Sequence, residues 1–371
     1  MTDIKSQVLL ALAKVTDPEL GLPITELGMV GDIGFDSDSI SVEIKLTVSH
    51  CPMRDQIESE VIQVLSQEFP TRTVNLQMAV MSKAELDELK VRLRGKEKQN
   101  PFGPGSSTRV ILIGSGKGGV GKSTITANLA VALANSGYQV GLIDADIFGF
   151  SITRLMGIKA KPTRLDDMML PPISYGVKVI SIGMFLDDNE AISWRGPMLH
   201  KAIEQFLTDV YWGDLDFLLI DMPPGTGDVA ISIGQLLPNA KTIVVTTAAT
   251  AASQVAVRSA MAASKAGHEI IGVVENMSWL LDSEGEKQAL FGSGGGDALV
   301  AELSRYTNQS VPLLAQIPIS TELSESAEAG RPLLTLANSD EAANTLQGLA
   351  GLIAQTKLSK DQRELKVKLK P

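Results

Sequence analysis

Gly116-Lys-Gly-Gly-Val-Gly-Lys122-Ser123 follows the apolar run Val110–Ile113 and opens the apolar-periodic stretch Lys122–Ser136. The spacing is G-x-x-x-x-G-K-[ST], placed between a strand and a helix as a phosphate-binding loop requires. Glycines let the backbone curl until several N–H groups face one anion, and the helix N-terminus adds its positive dipole end. In such a loop the lysine, here Lys122, reaches the β- and γ-phosphates, and the hydroxyl, here Ser123, binds Mg²⁺. Gly116, Lys117, Gly118, Gly119, Val120, Gly121, Lys122, Ser123 and Thr124 therefore form the expected triphosphate-binding set.

Outward from this loop the chain alternates strand and helix. Short apolar β runs recur at Val140–Ile143, Val177–Ile182, Phe217–Ile220, Thr242–Thr246, Ile270–Val274 and Leu313–Ile317. Helical periodicity fills most gaps, at Met198–Val210, Ala251–Ala266 and Asp297–Tyr306. Short buried strands joined by helical crossovers predict an α/β fold with a mainly parallel sheet flanked by helices. Two carboxylate sites stand at predicted strand ends, Asp144-Ala-Asp146 and Asp221-Met-Pro-Pro-Gly225. Ligands gather at the carboxyl ends of parallel strands. Asp221 is the expected water-mediated Mg²⁺ holder, Asp144 the support of the metal shell, and Asp146 the group that orients an attacking water. Gly225 lies where a switch loop senses the γ-phosphate.

The part before the loop reads as a small α+β domain, residues 1–90, with a helix over Val8–Val15, a strand Ser39–Val48, a helix around Ile57–Leu65 and a strand Thr73–Val80. Residues 91–108 read as a linker, charged at first and then turn-rich (Asn100-Pro-Phe-Gly-Pro-Gly-Ser-Ser107). The stretch from Lys83 has the composition of a short solvated helix. Residues 109–356 make the nucleotide domain, and 357–371 a basic tail.

Composition narrows the function classes. The chain has 371 residues, 44% apolar and 20% charged, ordinary globular usage, which excludes a disordered or collagen-like chain. With 33 basic and 43 acidic residues the net charge is −10, so no global attraction to nucleic-acid phosphates is expected. No apolar run approaches the ~20 residues of a membrane span, and the N-terminus lacks a secretory cleavage pattern. A cytoplasmic protein without stable membrane association is expected. Cys51 is the sole cysteine. It sits with Pro52 at a predicted helix start, where the positive dipole end lowers a thiol's pKa. It reads equally as a reactive thiol or cluster ligand and as a small buried hydrophobe.

A second lysine inside the loop, Lys117, resembles the deviant phosphate-binding loop of the MinD/ArsA/nitrogenase-iron-protein group. That resemblance implies a homodimer in which Lys117 reaches the nucleotide of the other subunit. The order GSGKGGVGKST, DADIFGFS, WRGPMLHKAIEQF, DFLLIDMPPGTGD, GVVENMS and FGSGGG over residues 109–356 is similar to the Mrp/ApbC (Nbp35-like) iron–sulfur cluster carrier ATPases. Residues 1–90, with Thr16-Asp-Pro-Glu19, Glu26-Leu-Gly28 and Val48-Ser-His-Cys-Pro52, are similar to the small iron–sulfur-assembly domain that precedes many bacterial members.

The resemblance implies a slow ATPase using ATP and Mg²⁺, acting as a homodimeric switch with iron–sulfur apoproteins or assembly factors as partners. Lys117, Lys122 and Asp146 would be its catalytic residues and Ser123, Asp144 and Asp221 its metal set. Asn276 would contact adenine beside the Ile317-Pro318 turn. Arg195-Gly-Pro-Met198 would shape a loop near the dimer interface, or simply start a helix. Gly292–Gly296 is either functional or a turn before the Asp297 helix. Cluster-carrying members have a C-x-x-C pair shortly after the ENMS segment, and two such pairs can ligate a bridging iron–sulfur cluster. Here Ser278–Leu290 has no cysteine. The usual Thr-Thr-Pro-Gln segment is replaced by Thr246-Thr-Ala-Ala249. Four-thiolate ligation at that place is therefore impossible. The alternative reading is a MinD/ParA-like positioning ATPase that docks on membrane or DNA. Its footing is the tail, where Leu358, Leu365 and Leu369 fall near one helical face among Lys360, Arg363, Lys366 and Lys370.

Overall fold

Alternation along Ser39–Leu46 (β2) puts Ile40, Val42, Ile44 and Leu46 on one face, and all four are buried. The computed structural model describes residues 2–49, 51–94, 100–146, 149, 151–185, 196–225, 228–282, 284–336 and 340–355. Arg195 and the basic tail lie outside them. The chain packs as two units, each with its own core. The first holds residues 1–99 together with 162–171 and 209–213.

In the first unit β2 pairs antiparallel with β1 (Val30–Phe35) and parallel with β3 (Thr73–Val80), the latter in register from Ser39↔Thr73 to Leu46↔Val80. Strand β1 left no clear trace in the sequence because Gly31 and Gly34 imitate a turn. A Cβ at Gly31 would first meet the far ends of the Glu43 and Lys45 side chains, which can shift. Helices α1 (Thr2–Leu12) and α2 (Arg54–Glu68) contribute Val8, Leu12, Ile57, Val61 and Leu65 to the core. Helix α1 stops earlier than the apolar spacing suggested. Lys14 and Val15 donate to carbonyls three residues back, which tightens the chain into a turn while Val15 stays buried. The charged stretch forms α3 (Lys83–Arg94), and it is not wholly solvated: Leu89 is buried in the core.

The segments at 162–171 and 209–213 lie beyond the phosphate-binding loop in sequence, yet they pack with the first unit. Thr163–Leu165 pairs antiparallel with Met168–Leu170, and Leu165, Met168 and Leu170 join the core built by β2 and the helices. Backbone bonds from Met169 to Asp209 and from Tyr211 to Met169, both 2.8 Å, tie the two segments together. Lys90 Nζ lies 2.8 Å from Asp166 at the hairpin turn. Three-residue strands carry too short a period to be read from sequence.

The second unit is built on an eight-stranded sheet. In chain order its strands are β4 (Arg109–Ser115), β5 (Val140–Asp144), β6 (Ile173–Ser174), β7 (Val177–Ser181), β8 (Phe217–Asp221), β9 (Lys241–Thr247), β10 (Glu269–Asn276) and β11 (Leu313–Gln316). The spatial order is β11-β10-β9-β4-β8-β5-β7-β6, parallel throughout except at the β6–β7 edge. All five residues of β8 and all five of β5 are buried, as expected of strands covered on both faces. Besides the single turn Ile152–Leu155, the α-helices are α4 (Lys122–Asn135), α5 (Gly196–Thr208), α6 (Asp228–Leu236), α7 (Thr250–Lys265), α8 (Gly295–Thr307), α9 (Thr321–Glu328) and α10 (Glu341–Ala354). Helix α4 is buried from Ile125 to Leu133, packed on the sheet and against α10. Gly196, Pro197 and Met198 open α5, in keeping with the helix-start reading of that motif. Among the described residues no helix is long and apolar enough to cross a membrane.

Met168 is fully buried in the first unit's core. Met168→Ala should destabilise that unit by about 2–5 kcal/mol, read as faster amide exchange along β2. Unchanged exchange there would remove the hairpin from this core.

Candidate functional site

The phosphate-binding loop joins β4 to α4 at the carboxyl edge of the sheet. Gly119 and Gly121 hold φ of 78° and 82°, the left-handed region that glycine enters at little cost. Gly116 answers a different need. A Cβ there would lie 2.3 Å from the Ala256 backbone nitrogen, so the loop can pass α7 only without a side chain. Gly118 and Gly119 have open space around them and are exposed, leaving their backbone accessible. Lys117 is exposed too, at the outer rim of the loop, and forms no ion pair among the described residues. Thr124 is half-buried in the first turn of α4.

Lys122 is buried, and its ammonium sits 2.7 Å from Asp221 Oδ2, 3.8 Å from Asp146 Oδ2 and 3.2 Å from the Ser123 hydroxyl. Ser123 donates to the same Asp221 Oδ2 at 2.6 Å, and Thr126 stands 2.9 Å from Asp221 Oδ1. Strand register explains the meeting: β8 lies between β4 and β5, with Asp221 opposite Ile113 on one side and Asp144 on the other. The predicted set of Lys122, Ser123, Asp144, Asp146 and Asp221 is therefore brought together.

The three aspartates differ. Both Asp144 oxygens are engaged: Oδ1 accepts from the Asp146 N–H at 3.1 Å, and Oδ2 from Ser181 at 3.0 Å and the Ile152 N–H at 3.3 Å. Burial first, and the charge of Asp221 second, push the Asp144 carboxyl up. Asp221, fully buried, presents Oδ2 together with the Ser123 hydroxyl. Two hard oxygens of this kind suit Mg²⁺, which takes one or two protein ligands and completes its shell with water and phosphate. Among the described residues no three His, Cys, Asp or Glu side chains gather as a closed metal cage. The site fits a metal brought with a phosphate ligand.

Gly225, in the loop after β8, donates its N–H to the Ser115 carbonyl at 3.0 Å and accepts from the Ser259 hydroxyl at 2.8 Å. Behind it a cavity is lined by Met222, Pro223, Thr242, Ser259 and His268. Burial holds the His268 ring below the usual imidazole range.

At the far side of the loop, Asn276 ends β10. Its Nδ2 donates to the Val120 carbonyl at 2.9 Å, while its buried Oδ1 has no partner among the described residues. A Cβ on Gly121 would strike that amide nitrogen, so Gly121 serves the Asn276 contact as well as the turn. The buried Ile317-Pro318 turn is held beside it, with Ile317 donating to the Glu275 carbonyl at 2.8 Å and accepting from the Ser278 N–H at 3.0 Å. Gly292–Gly296 ends in the α8 N-terminus, where the Gly296 N–H donates to Glu275 Oε2 at 2.6 Å. An internal carboxylate already occupies that helix end, which argues against a second anion loop there.

Ser115, Thr126, Ser181 and Glu275 also take part in the site, with no role assigned to them by the sequence patterns. Thr126 was detectable, because it lies one helical turn after Lys122 and so on the same face of α4. Ser181 needed the sheet order, which sets it opposite Asp144.

In the first unit Cys51 is buried, and its thiol points toward Glu19 Oε2 at 4.0 Å. Thr163 donates to the other Glu19 oxygen at 3.0 Å. The helix-start argument favoured a lowered thiol pKa, but the shift runs the other way. Burial pushes the thiol up, Glu19 and Asp17 add to it, and the N–H groups of Met53 and Arg54 oppose it only in part.

Comparison with known proteins bears on both units. The NUBPL iron-transfer P-loop NTPase family matches residues 106–354, and the iron–sulfur cluster assembly protein family matches residues 5–76. The iron–sulfur cluster carrier protein of Mycobacterium leprae is 48% identical over 352 residues, covering 94% of this chain and 92% of its own. The carrier of the same description from Bacillus subtilis is 39% identical, covering 83% and 86%. Among solved structures, a nucleotide-binding protein of Archaeoglobus fulgidus in complex with ADP is 35% identical, with a TM-score of 0.51 over 62% of this chain and 88% of that one. A glycine loop, a buried lysine and a strand-end aspartate meeting at one sheet edge, together with these likenesses, place the chain in the NUBPL iron-transfer P-loop NTPase family, with an iron–sulfur-assembly-type domain in front.

Proposed function

We propose that the protein is an ATP-hydrolysing homodimeric switch acting in the transfer of iron–sulfur clusters to apoproteins. The observation that carries this reading is the convergence of Lys122, Ser123 and Asp221 beneath the glycine loop. The ammonium, held by Asp221, needs only to exchange one oxygen partner for another when a triphosphate enters. Loop amides and the start of α4 then surround the phosphates.

Bound Mg²⁺ would draw charge from the β- and γ-phosphate oxygens and so favour departure of ADP as the γ-phosphoryl group passes to water. Ser123 and Asp221 would hold it. Asp144 acts one step removed, because its carboxyl grips the Asp146 backbone and so sets where the Asp146 side chain lies. Asp146, 3.8 Å from Lys122, orients the attacking water in this scheme. Lys117 stands ready at the rim to reach the nucleotide of a second copy, and its arrival supplies the last positive charge for the transition state. Slow turnover suits such a device, since dimer closure and reopening are its output. The unpartnered Asn276 Oδ1 suits the amino group of adenine.

The cluster is cargo in this reading. One cysteine per chain cannot supply four thiolates, even in a dimer, so the chain would act on clusters held largely by partner proteins. The names of the relatives and the domain in front support the transfer role.

Lys122→Ala should abolish nucleotide binding in calorimetry; retained affinity would remove the loop from the site. Lys117→Ala should keep ATP affinity within a few fold while losing hydrolysis and ATP-dependent dimerisation in light scattering. Turnover equal to wild type would contradict the cross-subunit role. Cluster delivery from a loaded donor to an apo acceptor should change when ATP is added to the full-length protein. Identical transfer rates with ATP, ADP and no nucleotide would sink the carrier reading and leave an ATPase alone.

A further inference from the structure

Glu275 is buried to 1% exposure, one residue before Asn276, and each of its polar atoms has a definite task. Oε2 accepts from the Gly296 N–H at 2.6 Å and Oε1 from the Gln316 side-chain amide at 3.0 Å. Its backbone carbonyl receives the Ile317 N–H at 2.8 Å and lies 3.1 Å from the Ser278 hydroxyl. One residue thus ties the end of β10 to the first turn of α8, to the end of β11 and to the Ile317-Pro318 turn. A carboxylate suits this place, since the α8 N-terminus presents unsatisfied N–H groups and a positive dipole end. Close fit enforces it: a Cβ on Gly296 would lie 2.9 Å from Glu275 Oε2, and one on Gly295 would lie 2.4 Å from the Thr247 carbonyl.

The same knot frames Asn276. The Val120 carbonyl can only accept, so the amide must turn its NH₂ to the loop and leave Oδ1 as the group offered to a ligand. An acceptor in that position discriminates between purines. Adenine carries an amino group at C6 where guanine carries a carbonyl oxygen, which would face Oδ1 lone pair to lone pair. Such discrimination depends on Asn276 being unable to retreat or rotate.

We propose that Glu275 is the positioning residue that sets base selectivity, holding β10, α8 and the β11 end together so that Asn276 meets the base with a fixed acceptor. This rests on the ATP reading of the site and adds to it a residue that touches neither phosphate nor base.

The experiment compares ADP and GDP affinities by calorimetry for the full chain and three variants, with inorganic pyrophosphate as a probe of the phosphate site alone. Glu275→Ala should lower the ADP-over-GDP preference roughly tenfold while pyrophosphate affinity stays unchanged. Glu275→Gln should restore most of the preference, because the amide oxygen still accepts from Gly296 and Gln316 can turn its own oxygen to the new NH₂. Gln316→Ala, which removes a single tie, should cost about two- to fivefold. A folded Glu275→Ala with wild-type preference overturns the proposal. Should that variant not fold, an unchanged ratio in Gln316→Ala overturns it equally. Wild-type protein that binds pyrophosphate but neither nucleotide would overturn the ATP reading, and this assignment with it.

Discussion

A carboxylate with no exposed surface, Asp221, ends the strand between β4 and β5, and the nucleotide site is organised around it. An isolated buried charge would be costly, so its environment is built to answer it. The Lys122 ammonium supplies the opposite charge, and Ser123 and Thr126 bring hydroxyls from the same helix. All three partners come from the first turns of α4, so the helix docks on β8 through this cluster as well as through its apolar face. The pair is also exchangeable. A phosphate entering the loop offers Lys122 the same kind of partner, and Asp221 is then free for other ligands.

Glycines carry much of the remaining geometry, for distinct reasons. Gly119 and Gly121 supply a backbone conformation, whereas Gly116 and Gly295 supply the absence of a side chain where backbones nearly touch. Gly121 does both, since Asn276 fills the volume its side chain would need. The loop is thus tied to the end of β10 by one side-chain amide. Gly225 contrasts with this. It is held by one hydrogen bond to the Ser115 carbonyl and one from the Ser259 hydroxyl, beside a small cavity.

The first unit poses a different problem. Its core takes in residues from a hairpin that the chain reaches only after the nucleotide loop and β5. Thr163 of that hairpin holds Glu19, and Glu19 faces Cys51. The thiol is therefore buried, pushed toward its protonated form and bordered by a carboxylate. A thiol so placed is a poor nucleophile until its surroundings change. With one cysteine per chain, two copies of this chain cannot supply four thiolates to a cluster.

Much of this was legible in the residues themselves. The loop motif, the apolar β runs and the aspartates at their ends specified a parallel sheet with its ligand edge, because period and punctuation are local properties of a chain. The direction of the Cys51 shift was misjudged, because a helix dipole is local whereas desolvation depends on everything folded around the thiol. Strand β1 was hidden by Gly31 and Gly34, which read as turn residues until the pairing with β2 is seen. Glu275 falls just past the predicted strand Ile270–Val274 and carries no mark of its role until α8 and β11 arrive beside it from 21 and 41 positions away. Sequence by itself determined which groups could grip a triphosphate, since that ability lies in a short contiguous stretch. Tertiary structure alone decided which groups hold that stretch in place and which stay sealed, because burial and hydrogen-bond pairing are set by neighbours distant in the chain.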